Sequence, residues 1–305
     1  MTAGATERQR GDVGMAIEVE VVVAASAELG EGPVWDARSG RLAWVDILGR
    51  RIHLTDPVSG ETASIEVPLD VGAIAPRAAG GFVAALQDGF WVVGDGEPRR
   101  LAMIPEARPG LRCNDGKCDP EGRFWAGTMA YDEADGVACL YRLDTDGTVR
   151  RMLDGVTISN GIAWSGDGVT MFYIDSPTGR IDTFSYEPAT GAISDRRTVV
   201  RIPAEVGSPD GLTIDADGGL WVALWDGRAI DRYLDGRLDR VIEMPVSRPT
   251  SCAFGGADLD ELFVTSAWMG LSADARRAEP LAGAVFRVRP GVRGVPPSVY
   301  SEVRA

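Results

Sequence analysis

The sequence predicts an all-β protein, a six-bladed β-propeller with four-stranded blades. One pattern recurs six times in the 305 residues: a small residue, a short apolar strand, a turn rich in Asp and Gly, and a second apolar or aromatic strand. The copies begin about 40 to 50 residues apart, which is the usual length of one propeller blade. No amphipathic helical stretch of ordinary length interrupts them, and this argues against a parallel α/β fold.

The six copies are predicted to supply the first two strands of each blade. They are GPVWDARSGRLAWVDI from Gly32, GAIAPRAAGGFVAAL from Gly72, GKCDPEGRFWAGTM from Gly116, GIAWSGDGVTMFYID from Gly161, GLTIDADGGLWVAL from Gly211 and SCAFGGADLDELFVTSA from Ser251. Each interval leaves room for two more strands, such as Arg51–Leu54 and Thr62–Val67, or Leu140–Leu143 and Val149–Leu153.

The two ends of the chain are predicted to behave differently. Residues 1–14 are polar and punctuated by Gly, which indicates a disordered tail, whereas residues 15–305 form a single domain. The strand around Ile17–Val23 should join the blade that contains Ala284–Val288, because an unpaired sheet edge invites aggregation. The Pro-rich stretch Gly291–Pro297 is expected to be an ordered tail on the last blade.

Composition narrows the range of partners. The chain has 45 Asp and Glu residues against 31 Lys and Arg, a net charge of -14, which argues against nucleic acid and against an anionic membrane surface. A small neutral substrate or a cation is better suited. The sequence has neither a run of about 18 apolar residues nor a convincing signal peptide. We therefore expect a cytoplasmic protein, either a monomer or a small homo-oligomer.

The sequence argues against a functional site built on cysteine or histidine. The four cysteines contain no CxxC pair and lie in or beside apolar strands, so they are predicted to be reduced core residues. The single histidine, His53, lies in an alternating strand-like segment and is expected to be structural. A histidine-based metal site or a Ser-His-Asp relay would have to be built around this one imidazole.

The residues directly before the six repeats become neighbours in a propeller, because the first strand of each blade lines the central channel. These residues are Glu31, Val71, Asp115, Asn160, Asp210 and Thr250. Four of them carry a carboxylate or amide oxygen. Three carboxylates at one channel mouth repel each other and lose hydration unless a positive charge sits among them. A metal site at the central channel is therefore predicted, although Asp and Asn before Gly are also common turn residues.

Ligation by oxygen atoms alone, including one amide, favours a hard divalent ion. Calcium is the first candidate, with magnesium, manganese, zinc and ferrous iron as alternatives. Asp46 and Asp175, which end the second strands of two copies, are expected to be turn formers.

Five spaced motifs stand out in the sequence: LGEGPVWD at Leu29–Asp36, RCNDGKCDPEGRFWAGTM at Arg112–Met129, ISNGIAWS at Ile158–Ser165, PDGLTID at Pro209–Asp215 and TSCAFGG at Thr250–Gly256. Together they resemble the senescence-marker-protein/gluconolactonase/regucalcin family, and the resemblance runs from about Glu20 to about Ser301. Members of the family are six-bladed propellers, and the resemblance implies a metal-dependent sugar-lactone hydrolase.

The resemblance also implies roles for individual residues. The divalent metal would be held by Glu31, Asn160 and Asp210, and the substrate by Arg112, Asn114 and Asp132. Asp210 also matches the proposed general base. Asp132 lies where relatives often carry a glutamate that grips sugar hydroxyls, and it is shorter by one carbon. Asp115 is expected to lie behind the ligands.

Three functions follow as hypotheses. The first is hydrolysis of a sugar (aldono-) lactone to the aldonic acid, through metal polarisation of the carbonyl and a water activated by a carboxylate. The second is a calcium-binding regulatory protein with little turnover. The third is an esterase or phosphotriesterase on the same scaffold. The polar side chains of Arg112, Asn114 and Asp132 argue against the third. The loops Pro105–Leu111 and Ala267–Leu281 are expected to overhang the channel.

Overall fold

The computed structural model describes residues 17–94, 96–105 and 107–302, and these form six four-stranded antiparallel sheets. The predicted tail at residues 1–14 lies outside the described residues. The strands of the first three blades are β2 (Gly30–Asp36), β3 (Arg41–Asp46), β4 (Arg51–Thr55), β5 (Thr62–Glu66), β6 (Val71–Pro76), β7 (Phe82–Leu86), β8 (Gly89–Val93), β9 (Arg99–Met103), β10 (Leu111–Cys118), β11 (Phe124–Ala130), β12 (Ala138–Leu143) and β13 (Val149–Val156). The remaining strands are β14 (Ser159–Trp164), β15 (Thr170–Asp175), β16 (Arg180–Glu187), β17 (Ala192–Arg201), β18 (Ser208–Ile214), β19 (Leu220–Trp225), β20 (Ala229–Leu234), β21 (Arg237–Glu243), β22 (Pro249–Gly255), β23 (Glu261–Ser266), β24 (Val285–Val288) and β1 (Val19–Val23).

The N-terminal strand closes the ring. β1 pairs antiparallel with β24, with Val19 opposite Val288, so the last sheet has the order β1-β24-β23-β22. This confirms the predicted closure and the predicted six-bladed propeller. Within the described residues the only α-helix is α1 (Ala273–Ala278), which Ser272 caps by accepting from the amide of Ala275. None of the helices in this part of the chain is long and apolar enough to cross a membrane.

The six inner strands surround the channel and start at the same end, which we call the mouth. Every inner strand carries a β-bulge at the predicted ring position, such as the register shift between Glu31 and Val34 in β2. Bulges re-aim side chains and are frequent beside active sites. Neighbouring inner strands also approach closely: a Cβ on Gly72 would lie 2.5 Å from the carbonyl oxygen of Asn114. Glycine at this repeat position therefore allows the inner strands to converge.

At the far end of the channel, opposite the mouth, carboxylates join the first two strands of a blade. Asp119 and Asp215 directly follow inner strands β10 and β18. They accept hydrogen bonds from the indole nitrogens of Trp125 and Trp221 at 2.9 and 2.8 Å. The Asp and Trp of the copies DPEGRFW and DADGGLW thus form buried structural pairs.

The C-terminal tail takes a longer path than predicted. It contacts the fifth and sixth blades through the amides of Ala216 and Gly294, which bond Arg293 and Leu259 carbonyls at 2.8 Å. It then continues to the second blade, where Tyr300 donates to the carbonyl of Pro76 at 2.8 Å. The expectation that the tail packs on the last blade was therefore incomplete, because the tail crosses the far end of the channel.

The cysteines and the histidine have the predicted structural roles. All four cysteines are free, and only Cys139 is more than slightly exposed. His53 stacks on Trp44 with ring centroids 4.1 Å apart, and its Nδ1 lies 2.8 Å from the hydroxyl of Ser64. Burial lowers the pKa of His53 to about 4. Its place on the third strand of the first blade keeps it away from the inner strands that line the channel.

Candidate metal and substrate site

The mouth collects buried polar side chains from four of the six blades. Five of the six predicted site residues are buried there, and the structure thus places them in one neighbourhood; they are Glu31, Arg112, Asn114, Asn160 and Asp210. Asp115 is buried as well. The bulges explain this arrangement, since a regular strand would turn alternate side chains into the blade rather than toward the channel.

The carboxylates of the mouth are close enough to shift each other's pKa. Burial raises the pKa of Glu31 well above its usual value, and the charges of Asp210 and Asp115 raise it further. Burial likewise raises the pKa of Asp210, with Asp115 adding to the effect and Asn160 and Arg112 opposing it. Such mutual repulsion favours the binding of a cation or of protons at the mouth.

Asn160 provides the clearest test of whether a cation fits. Its amide nitrogen donates to the hydroxyl of Ser176 at 2.9 Å, and Ser176 in turn donates to the carbonyl of Pro209 at 2.6 Å. This chain orients the amide and leaves its Oδ1 atom buried, with no hydrogen bond from any residue that the structure describes. A buried oxygen without a partner costs about 1–3 kcal/mol. A divalent cation among Glu31, Asn160 and Asp210 would remove that cost.

The donor set suits an oxygen-binding ion. No group of three or more His, Cys, Asp and Glu side chains in residues 17–302, as far as they are described, is arranged to hold a metal. The predicted set offers only two carboxylates, and an amide oxygen completes it. Asp115 is already engaged, because its Oδ1 accepts from the amide of Gly116 at 2.6 Å and its charge faces Lys117.

Lys117 lies deeper in the channel. Its ammonium group donates to the carbonyl of Leu212 at 2.8 Å, and the charge of Asp115 partly offsets the burial that lowers its pKa. Asp115 and Lys117 also line the cavity that opens toward the far end, and the expected position of Asp115 behind the ligands stays a prediction.

Arg112 and Asn114 lie together on one side of the mouth. The Nη1 atom of Arg112 donates to Oδ1 of Asn114 at 2.6 Å and to the carbonyl of Cys113 at 3.0 Å. The Nδ2 atom of Asn114 donates to the carbonyl of Ser159 at 2.8 Å, which ties the third blade to the fourth. Arg112 has five N–H donors, so most of them remain for a ligand.

Asp132 is separate from this cluster. It is exposed in the loop after β11, and its Oδ1 accepts from the amide of Ala134 at 3.3 Å. Its role as a substrate ligand stays a prediction.

Sequence reasoning missed the side chains that position the site. Asp46 accepts from the amides of Glu28 and Leu29, just before β2, and Asp175 does the same for Thr157 and Ile158, just before β14. Both were predicted to be turn formers, and the Oδ1 of Asp46 does accept from the amide of Gly49 at 3.2 Å in the turn that follows. Both carboxylates also hold the segments that lead to Glu31 and Asn160. Ser176 was also missed, although it follows Asp175 directly.

Comparison with known proteins assigns the family. The family model described as the SMP-30/gluconolactonase/LRE-like region matches residues 29–268, which include five of the six predicted site residues at the mouth and the sixth, Asp132, in its loop. The chain belongs to this family. Its members named regucalcin include a protein from Xenopus laevis that is 37% identical over 295 residues, covering 93% of this chain and 99% of that protein.

Two further family members are of interest. A protein of Bacillus subtilis (strain 168) named as a putative sugar lactone lactonase, YvrE, is 38% identical over 280 residues, covering 90% of this chain and 96% of that protein. The crystal structure of a calcium-binding protein, regucalcin, from Agrobacterium tumefaciens superposes with a TM-score of 0.89 at 30% identity. It covers 93% of this chain and 98% of that one. Both confirm the family resemblance seen in the sequence.

Proposed function

We propose that this protein is a metal-dependent lactonase that opens a sugar lactone to the aldonic acid. The observation that carries the proposal is the buried, unpartnered Oδ1 of Asn160 beside two carboxylates whose pKa values are raised. A site built only for stability would have given the Asn160 oxygen a hydrogen-bond donor. The name of the Bacillus subtilis relative supports a sugar lactone as the substrate class.

The cation would be held by Glu31, Asn160 and Asp210. When bound, it would supply a Lewis acid that polarises the lactone carbonyl. Calcium is the first candidate because the donors are all oxygen atoms and the Agrobacterium relative is called a calcium-binding protein; magnesium, manganese, zinc and ferrous iron are the alternatives.

The side chains of the mouth divide the remaining work. Asp210 accepts the proton of the attacking water, a role that typically contributes about 10²–10⁴ in rate. Burial and the charge of Asp115 raise the pKa of Asp210, and a cation bound beside it would oppose that shift and favour the ionised form that accepts the proton. Arg112 donates hydrogen bonds to lactone oxygens, and Asn114, held by Arg112 and by Ser159, keeps that guanidinium in place. Asp132, exposed in the loop after β11, would bind a sugar hydroxyl.

A calcium-binding regulatory role with little turnover is the second candidate. The specific observation in its favour is the same oxygen donor set, together with the calcium-binding description of the Agrobacterium relative. An esterase or phosphotriesterase is less well supported, because Arg112 and Asn114 make the mouth polar. A cytoplasmic location and a monomeric or small homo-oligomeric state stay predictions.

A panel of aldonolactones with metal-stripped protein separates the two candidates. Hydrolysis is followed in a pH-stat after calcium, magnesium, manganese, zinc or ferrous iron is added back singly. The lactonase proposal expects no turnover without metal and recovery with at least one ion. Tight calcium binding without hydrolysis of any lactone would favour the regulatory role instead.

A further inference from the structure

A hydrogen-bonded network of Arg50, Asp70 and Tyr131 spans the rim of the mouth and has no part in the proposed chemistry. The phenol of Tyr131 donates to Oδ2 of Asp70 at 2.6 Å, and the Nε atom of Arg50 donates to Oδ1 of the same carboxylate at 2.8 Å. Asp70 is buried, and both its oxygens are engaged. It therefore serves as an anchor for two neighbours and offers little to a ligand.

This network joins three blades at the mouth. Arg50 lies in the turn between β3 and β4, Asp70 directly precedes β6, and Tyr131 directly follows β11. The second blade places an apolar residue, Val71, at its ring position, so Asp70 is its nearest polar contribution to the mouth. No spacing in the sequence relates these three residues, and none of them belongs to a repeat.

Tyr131 lies beside Arg112. Its strand pairs with β10 so that Ala130 faces Leu111, and its amide donates to the carbonyl of Gly110 at 3.1 Å. The charges of the two side chains affect each other: Arg112 lowers the pKa of the phenol, while burial and the bond to Asp70 raise it. The phenol therefore stays protonated and remains a hydrogen-bond donor to Asp70.

The ring of Tyr131 is held but not buried. Although its hydroxyl is fixed, the residue is 44% exposed, whereas most of the aromatic residues of the described blades are buried in the core. A tyrosine that served only to pack the rim would gain more by burying its ring. A fixed, exposed aromatic ring beside a buried guanidinium instead offers an apolar wall next to hydrogen-bond donors. Small-molecule sites usually combine these two features.

We propose that Tyr131 is a substrate-contacting, specificity-determining residue whose ring covers the C–H face of the lactone while Arg112 binds its oxygens. Asp70 and Arg50 are positioning residues that act through the phenol. The ligand class is a hydroxylated five- or six-membered lactone with one less polar face. This inference rests on the proposed function, because it assigns a contact within the same site.

The test compares variants of the full chain by steady-state hydrolysis of an aldonolactone and by calorimetric binding of the corresponding aldonate. Tyr131→Ala removes the wall, and KM should rise about 10-fold or more with kcat within about 2-fold, since a lost apolar contact is worth 10-fold or more in discrimination. Tyr131→Phe and Asp70→Ala keep the aromatic ring but remove the hydrogen bond between the phenol and Asp70 that fixes it. Both should therefore raise KM by about 3-fold. Aldonate binding should weaken by the same factors.

Two neighbouring substitutions provide matched controls. Arg51→Ala removes an arginine from the same segment as Arg50, and Glu66→Gln neutralises its exposed partner 3.4 Å away. Both should leave KM unchanged, whereas Arg50→Ala should resemble Asp70→Ala. Thermal unfolding of each variant checks the fold, and Tyr131→Phe keeps the test valid if Tyr131→Ala does not fold.

The outcomes separate the two proposals. A KM and an aldonate affinity in Tyr131→Ala and Tyr131→Phe within about 2-fold of the wild type would overturn the inference. A wild type that hydrolyses no lactone but binds aldonate more tightly than Tyr131→Ala would refute the lactonase and keep the contact. A wild type that neither hydrolyses lactones nor binds aldonate would overturn both.

Discussion

The two ends of the channel are built from the same six strands but serve opposite purposes. At the mouth, Asp210 and Glu31 are buried with raised pKa values, and the Oδ1 of Asn160 has no partner among the described residues. At the far end, Asp215 accepts from the amide of Gly219, from Trp221 and from Arg232, and these bonds lower its pKa.

The two contrasting carboxylates belong to one strand, β18, and to the residue that directly follows it. Asp210 and Asp215 are five residues apart and both buried, but burial and the charge of Asp115 raise the pKa of Asp210, whereas the bonds from Arg232, Trp221 and Gly219 lower that of Asp215. The far end also contains a cavity of about 330 Å³ lined by Trp35, Trp164 and Phe254 and bordered by residues 295–298 of the tail. A carboxylate with a raised pKa therefore marks the end that holds the proposed site, and an ion-paired carboxylate with a lowered pKa marks the structural end.

The largest expected effect is the loss of activity in Asp210→Asn. Removal of the general base and of one metal ligand should lower kcat/KM by about 10²–10⁴ or more. The free energy of unfolding of the metal-free variant should match or exceed that of the wild type, because a repelled buried charge is lost. Chemical denaturation and lactone hydrolysis measure the two quantities on the same sample.

Asp215→Asn is the counterpart of that variant at the far end. It breaks the ion pair with Arg232, which is 2.7 Å long and almost fully buried, and should cost about 3 kcal/mol of stability. The folded fraction should keep kcat and KM within about 2-fold of the wild type, since Asp215 touches no substrate. A large fall in kcat without a loss of stability would erase the distinction between the ends.

Tyr300→Ala tests the tail at the far end. Tyr300 is 1% exposed and its hydroxyl donates to the carbonyl of Asp144 at 3.1 Å, so truncation should cost about 3–5 kcal/mol. Urea denaturation checks this value. The KM for a lactone should not change, because the tail lies at the opposite end from the mouth; an increased KM would show that the two ends are coupled.

The smallest expected effect concerns how the free energy of unfolding depends on pH: the contributions of Asp210 and Asp215 should change with pH in opposite directions. The pKa of Asp210 is raised above its usual 3.8, so the stability that it contributes is complete below that value and is lost as pH rises through the folded pKa. The pKa of Asp215 is lowered from the same 3.8, so its contribution is complete above that value and is lost as pH falls through the folded pKa.

Denaturation of chelated protein from about pH 3 to about pH 7 should show both signs. The advantage of Asp210→Asn over the wild type should grow as pH rises, whereas the deficit of Asp215→Asn should shrink as pH falls. Two curves with the same sign would contradict the assignment of the two carboxylates.

The sequence predicted the architecture because the repeat encodes it. Each copy carries the small residue that lets inner strands converge, and the residues before the copies led to Glu31, Asn160 and Asp210. The family resemblance added Arg112 and Asn114. These groups lie on the inner strands, at or beside a bulge that recurs in every blade, so position in the repeat determines position in space.

The remaining features depend on contacts between segments that no period relates. Ser176, which orients Asn160, lies in a short turn, and the network of Arg50, Asp70 and Tyr131 joins three blades at unrelated positions. The tail was placed only on the last blade, because its Pro-rich sequence carries no strand pattern to define a path. The orientation of Asp132 depends on a loop.

The most direct test of the central claim is a calcium titration of chelated wild type and of Asn160→Leu, with lactone hydrolysis followed in parallel. Leucine keeps the approximate volume of the side chain and removes only the unpartnered oxygen and its amide. Wild-type protein should bind one ion per chain and regain hydrolysis in proportion, whereas Asn160→Leu should remain folded, bind calcium at least about 10-fold more weakly and regain little activity. Equal calcium affinity and equal hydrolysis in the two proteins would contradict a metal-dependent site at the mouth.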